Sequence, residues 1–293
     1  MELLEIRVIS ILVIAAVYAL FDVFNRRNVP NIFAYATLFY GLILSALYFN
    51  LLSLTSIAIA AIVLGIGYLI YKIGQIGGAD VIEFAALSLI LPIQPSPWFA
   101  SLNQFNLPFI FSILINSGVI ALVIVPIYYI IVGSKHSKRH SFHNNISLKS
   151  LFKATLMLCA YAIFIVFARS IAMINFYSVL LLLIIGIFSF LMFLFEDIIA
   201  KAMIEYVPPA KFEEGDIIAL NFVDRKKIHK VQEKVPEFGR LVTSNILTKL
   251  KEKHIQEKFP VYKNAMPLAL PILIGVIISL ALGNMLLFIF PIS

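Results

Sequence analysis

The chain contains a single cysteine, Cys159, among its 293 residues. One thiol cannot form an intrachain disulfide, and Cys159 lies inside an apolar run, where we expect a packed core residue. His136, His140 and His143 fall close together, but in a basic loop that lacks the cysteine or carboxylate partners of a metal site. The sequence also lacks a glycine-rich phosphate loop and a serine–histidine arrangement. It therefore predicts no metal and no other cofactor.

Charged residues are scarce as well. They make up 13% of the chain, while 61% of the residues are hydrophobic. Because soluble domains carry about 25% charged residues, this composition excludes an ordinary soluble protein. Apolar runs recur along most of the chain, and each approaches the ~20 residues that a membrane helix needs. The first run is too long for a signal peptide, so we expect it to remain as a span.

These runs predict an all-α polytopic membrane protein with about six to eight transmembrane helices and a small α+β insert. A strand is predicted within the insert at Asp216–Val223, where polar and apolar residues alternate, and an amphipathic helix at Gly239–His254. We expect three domains: a membrane domain over 1–200, a soluble domain over 201–265 and a C-terminal transmembrane helix over 266–293. The eight predicted spans are 3–21, 32–49, 55–72, 77–91, 109–132, 152–168, 177–197 and 266–290. The stretch 152–197 is also compatible with one span and an interfacial helix.

The positions of Lys and Arg predict the orientation in the membrane. Apart from Arg7 and Arg169, they fall on one side of the predicted spans. Since basic residues are retained in the cytoplasm, both termini are expected outside and the soluble insert inside. The chain is then a multi-pass protein of the cell membrane. Its net charge of +7 reflects this topology and contact with anionic lipids, and nucleic acid is not an expected partner.

Two aspartates, Asp22 and Asp80, lie at the ends of predicted spans on this cytoplasmic side. A carboxylate is costly to hold at membrane depth, which makes each of them a functional candidate. Two aspartates in one partly desolvated site cannot both ionise easily and would share a proton. The ionised one can take a proton from water while the protonated one polarises a peptide carbonyl, which is the chemistry of an aspartyl protease.

The sequence around each aspartate resembles that of a known family. The run Gly77-Gly78-Ala79-Asp80 at the start of a span is similar to the GxGD signature of membrane aspartyl proteases. Asp22 followed by Val29, Pro30 and Asn31 resembles the first-helix pattern of the type IV prepilin peptidases. Together, in this order, they resemble the archaeal preflagellin and prepilin peptidases. The resemblance covers about residues 1–91.

The resemblance implies a substrate and a site. Such a peptidase cuts precursors of the prepilin or preflagellin type between a short basic leader and an apolar helix, and Asp22 and Asp80 would be its catalytic pair. The chain departs from the pattern at Ala79, where glycine is common, and at Ile82, where the family often has lysine. The zinc-binding cysteine domain of many bacterial relatives is also missing, which favours the archaeal branch.

Three further acids are candidates for binding a basic leader: Glu83, Glu196 and Asp197. Glu83 follows Asp80 by one helical turn, and its plainer interpretation is a polar residue that faces a water-filled cavity. Glu196 and Asp197 end the seventh predicted span, where acids often mark the exit from lipid. The same carboxylates are also compatible with a second function, that of a proton- or cation-coupled transporter. Its carboxylates would be expected near the bilayer midplane.

Overall fold

The protein is a bundle of helices with one small two-stranded sheet. The computed structural model describes residues 2–25, 29–47, 51–73, 76–99, 108–136, 147–170, 174–253, 255, 257–262 and 268–285. Within these residues the helices are α1 (Glu2–Phe24), α2 (Asn31–Leu47), α3 (Leu51–Lys72), α4 (Gly78–Ile90), α5 (Phe109–His136), α6 (Leu148–Ser170), α7 (Phe176–Leu194), α8 (Glu196–Ala202), α9 (Arg225–Lys234), α10 (Ser244–Glu252) and α11 (Ala269–Ala281); the strands are β1 (Glu205–Val207) and β2 (Phe259–Val261).

Five helices in the described part of the chain are long and apolar enough to cross a membrane by length and composition. They are Leu4–Phe24, Ser53–Lys72, Phe109–Ile131, Leu148–Ser170 and Phe176–Leu194. Two shorter apolar helices, Asn31–Leu47 and Ala269–Ala281, and the short helix α4 account for the remaining predicted spans. The predicted fold class, an all-α polytopic membrane protein, is confirmed. The ends of the last predicted span, 266–267 and 286–290, lie outside the described residues.

Helix α4 lies at the centre of the bundle. Its residues from Glu83 to Ile90 are all buried, so it presents no polar face to solvent and no broad face to lipid. Helices α2 and α3 approach it closely because each carries a glycine at the contact. A Cβ at Gly41 would lie 2.9 Å from the Cβ of Leu89, and a Cβ at Gly67 would overlap the side chain of Val81. Small residues of this kind allow close helix packing within a membrane.

Helix α11 packs between α1 and α5, although more than a hundred residues separate it from α5 in sequence. Its buried face includes Ile272, Val276 and Leu280, which join the main hydrophobic core with residues of α1, α4 and α5. At Gly275 the backbones of α11 and α5 come so close that a Cβ would overlap Ser117. The catalytic candidates therefore lie in a bundle of six helices, α1–α5 and α11.

The segment between α8 and α11 forms a small α+β unit with its own core. Strand β1 pairs antiparallel with β2, and the core beside them includes Ile218, Val235, Phe238, Leu250 and Phe259. The predicted strand at Asp216–Val223 is wrong in extent. Ile217 and Ile218 form only isolated bridges, and Leu220–Phe222 is a 3-10 turn. The predicted helix is present but shorter, as α10. The domain boundaries at 201 and 265 remain predictions.

A buried arginine holds the ends of α2 and α4 together. Arg7 of α1 is 8% exposed, and its guanidinium donates to the carbonyl oxygens of Ile90 at 2.9 Å and Leu44 at 3.0 Å. Both carbonyls belong to the last turns of their helices, where backbone acceptors have no partner within the helix. The positive charge also complements the negative ends of the two helix dipoles.

We expect Arg7→Met to destabilise the protein by about 2–4 kcal/mol, because both carbonyls lose a charged donor. Arg7→Lys, whose ammonium group lacks the guanidinium fork, should show a smaller loss. Thermal unfolding of the detergent-solubilised protein measures both. An Arg7→Met variant as stable as the parent protein would contradict the stabilising role.

Candidate active site

Asp22 lies in the last turn of α1 and is 8% exposed. Its Oδ2 accepts a hydrogen bond from the backbone N–H of Ala269 at 3.0 Å. Ala269 is the first residue of α11 and is fully buried. A carboxylate at the C-terminal end of its own helix faces an unfavourable dipole, and the N-terminus of α11 offsets that effect.

Asp80 lies in the first turn of α4. Gly77 precedes the helix in an extended conformation, and its N–H donates to Asp80 Oδ2 at 3.2 Å. The carboxylate thus folds back over the helix start, where free backbone amides favour a negative charge.

Gly77 leaves the space in which this carboxylate lies. A Cβ at Gly77 would be 2.7 Å from Asp80 Oδ2, closer than real contacts allow. A Cβ at Gly78 would meet only the ring of Tyr71, at an ordinary 3.5 Å. Ala79 packs at the edge of the apolar cluster around the site. The two glycines of the motif therefore differ, since only Gly77 is required by the position of the aspartate.

The two aspartates come from different helices, and both lie beside the same apolar cluster at one end of the bundle. Their charges interact electrostatically. The apolar cluster beside them is formed by Tyr18, Ala19, Val29, Ala34 and Ala269, with Ala79 and Ile82 packed against it. Water is therefore largely excluded from one side of the pair, which strengthens the electrostatic interaction of the carboxyl groups.

The Val29-Pro30-Asn31 segment sets the start of α2. Val29 is 7% exposed and packs in the cluster beside the aspartates. Pro30 is exposed, and its carbonyl accepts the N–H of Ala34, while α2 begins at Asn31 with an exposed side chain. A proline beside a helix start fits its fixed backbone angle and missing N–H.

Glu83 is a third carboxyl group of the site. It is 0% exposed, and neither of its oxygens has a hydrogen-bond partner among the described residues. It interacts electrostatically with Asp80 and Asp22. Glu83 therefore lies in the protein interior rather than on a water-filled cavity.

Tyr18 and Thr37 complete the surroundings of Glu83 and Asp80. Tyr18 is fully buried, and its hydroxyl pairs with the hydroxyl of Thr37 at 3.0 Å. Tyr18 also interacts electrostatically with both Glu83 and Asp80.

Glu196 and Asp197 form a separate cluster at the start of α8. The hydroxyl of Ser150 lies 3.2 Å from an oxygen of each, and Lys153 forms an ion pair with Glu196 at 2.6 Å. This cluster joins α6 to α8. A role for the two acids in binding a leader stays a prediction, and Glu196 already has a cationic partner.

The contribution of α11 to the site leaves only a weak signal in the sequence, because the group that contacts Asp22 is a backbone amide. Proline at position 271 is a partial hint. Proline is favoured in the first turn of a helix, where it marks a start. It does not indicate which side chain that start will meet.

Comparison with known proteins identifies the part of the chain that carries this site. Residues 8–126 match the sequence model of the type IV leader peptidase family. The match covers less than half of the chain, so it shows a similarity of this segment to that family. No curated protein and no solved structure matches the chain.

Members of that family are proteases that act on precursor proteins, and the known members are of the aspartic type. The matched segment runs from α1 into α5 and includes Asp22, Asp80 and Glu83. It does not include α11, whose first residue contacts Asp22.

The two glycines provide a test of the site geometry. We expect Gly77→Ala to lower peptidase activity about tenfold or more, because the new Cβ displaces the Asp80 carboxylate, and small displacements of reacting groups are costly. Gly78→Ala is the matched control and should keep near-parental activity. Initial rates on one precursor, at equal folded protein, measure both. Equal losses in the two variants would show that the space at Gly77 has no special role.

Proposed function

We propose that the protein is an integral-membrane aspartyl endopeptidase that removes the short basic leader of prepilin-like or preflagellin-like precursors. The observation that carries this proposal is the pairing of Asp22 and Asp80. Two carboxyl groups from different helices interact at one end of an apolar bundle, inside the segment that matches the leader peptidases.

The reaction requires the two carboxyl groups to share one proton. The ionised aspartate removes a proton from water, and the resulting hydroxide attacks the carbonyl carbon of the scissile peptide. The protonated aspartate gives its proton to the carbonyl oxygen. Collapse of the tetrahedral intermediate breaks the C–N bond. One aspartate gives a proton to the leaving nitrogen while the other takes a proton from a hydroxyl of the intermediate, so the pair again holds one proton. No covalent intermediate forms, and the aspartates act as one titrating unit.

Backbone amides prepare both aspartates for these roles. Asp22 accepts from Ala269 and Asp80 from Gly77, each at the start of a helix. These donors help to orient each carboxylate and favour its ionised form. A preorganised pair of this kind avoids reorganisation during the reaction.

The same surroundings fit a basic leader. Asp22, Asp80 and Glu83 together form an acidic site, and Glu83 is a buried carboxyl without a hydrogen-bond partner among the described residues. Burial of an unpaired carboxylate is unfavourable, so a cationic side chain of the precursor would supply a partner that none of the described residues provides.

The distribution of Lys and Arg supports a cytoplasmic location for the site and for the small α+β unit. Apart from Arg7 and Arg169, the basic residues lie on the side to which both aspartates belong. A site at that face of the cell membrane reaches the junction of a leader and an apolar helix while the helix remains in lipid. The basic face would also contact anionic lipids.

Asp22→Asn and Asp80→Asn should each abolish cleavage of a precursor with a basic leader, because the pair then lacks either the base or the shared proton. The fall should exceed about a hundredfold, as expected for loss of an acid–base group. Cleavage at the leader junction is followed on gels and by mass spectrometry of the product.

Asp224→Asn is the matched control. It makes the same substitution at the N-cap of α9, where asparagine caps as well as aspartate. It should cleave like the parent protein. Cleavage that survives either active-site variant would overturn the aspartyl mechanism. A folded parent protein that cleaves no precursor, but moves protons or cations into proteoliposomes, would favour the transporter.

Glu83→Gln tests the leader-binding role with little change in shape. We expect KM to rise about fivefold to tenfold for a basic leader and to stay unchanged for a leader whose Lys and Arg are replaced by Gln, because only a charge contact is lost. An equal change for both leaders, or none for either, would contradict the role of Glu83 in leader binding.

A further inference from the structure

The first turn of α11 lies in the site, yet it comes from outside the matched family segment. Residues 8–126 contain both aspartates, whereas Ala269 follows after α6–α10 and the small sheet. The hydrogen bond from Ala269 N to Asp22 Oδ2 joins these two parts of the chain at the functional centre.

The backbone N–H groups at a helix start have no acceptor within the helix. In α11 the third position of the first turn is Pro271, which has no N–H, so only Ala269 and Leu270 retain these donors there. The residue before the helix, Leu268, has no side chain that accepts from them. Asp22 therefore serves as the cap of α11 from another helix.

Contacts along the whole of α11 fix the position of its first residue. Ala269 is fully buried in the cluster that contains Tyr18 and Ala19. Further along, Gly275 lies against Ser117 of α5.

The far end of α11 is held as well. Asn116 donates to the hydroxyl of Ser279 and to the carbonyl of Gly283, each at 2.8 Å. The amide at residue 269 is thus held by contacts at both ends of the helix, and Asp22 meets a donor that has little freedom to move.

We propose that the backbone amide of Ala269 is a positioning group for Asp22, and that α11 completes the catalytic site that the matched segment begins. The inference rests on the proposed peptidase function, since the position of Asp22 matters for rate only if Asp22 takes part in the reaction. Its role is to orient the carboxylate and not to bind the precursor.

The test removes the N–H while it keeps the side chain. Ala269 is replaced by its α-hydroxy analogue, lactic acid, through nonsense suppression, so that an ester replaces the amide. The ester also makes the carbonyl of Leu268 a weaker hydrogen-bond acceptor. In the parent protein this carbonyl accepts a hydrogen bond from Ile272 N at 3.1 Å. The matched control is the α-hydroxy analogue at Ile272, which removes that same helix bond and leaves the bond to Asp22 intact.

We expect the ester at residue 269 to lower kcat about tenfold or more with little change in KM, because a misoriented carboxyl group of the pair slows the chemical step and leaves precursor binding unaffected. The ester at residue 272 should keep kcat close to that of the parent protein. Equal falls in kcat for the two esters, or an unchanged kcat for the ester at 269, would overturn the inference.

A second measurement does not depend on cleavage. Labelling of Asp22 by dicyclohexylcarbodiimide, read by mass spectrometry, should become several-fold faster in the ester at 269 but not in the ester at 272. Faster labelling of the ester at 269, in a protein that cleaves no precursor, would support the contact between Ala269 and Asp22 but contradict the peptidase function. Unchanged labelling together with full activity would reject the positioning role and leave the peptidase function intact.

Discussion

Carboxyl groups inside an apolar helix bundle need donors, and the arrangement of this bundle follows from that need. Asp22 obtains its donor from the start of α11, and Asp80 obtains one from the residue before α4. Both donors are backbone amides at helix starts, where the helix itself offers no acceptor. Glu83 lies beside them without such a donor among the described residues, so the acidic site as a whole is incompletely satisfied at rest.

Helix α4 carries opposite charges at its two ends, and both agree with its dipole. Asp80 lies in its first turn, and Arg7 binds the carbonyl of its last residue, Ile90. Each charge faces the helix end of opposite sign. The glycines of α2 and α3 bring their backbones against the apolar middle of the same helix. The position of Asp80 therefore depends on contacts along all of α4.

Much of this could be predicted because apolar runs and lone acids leave direct signals in the sequence. The helices could be predicted in this way, and so could the placement of Asp22 and Asp80 at the same end of the bundle. The donor at Ala269 could not, since every residue has an amide and only tertiary packing selects one. The strand predicted at Asp216–Val223 is reduced to isolated bridges at Ile217 and Ile218, because the chain turns into the 3-10 segment Leu220–Phe222 directly after them. Glu83 was expected beside water. Helical periodicity indicates that Glu83 lies on the same face of its helix as Asp80, but it does not indicate which residues cover that face.

The shortness of α4 links the site to the thickness of the bilayer. Thirteen residues rise about 20 Å, whereas the hydrocarbon layer is about 30 Å thick. Neighbouring helices cover α4, so lipid does not adjust to its length as it would around an isolated short helix. Asp80 and the carbonyl that Arg7 binds lie at the two ends of α4, so this helix cannot carry both to the surfaces of such a layer. In the proposed peptidase, a site held beneath the headgroups would have to admit both water and the scissile bond at that depth, and lipids with longer acyl chains would bury it further.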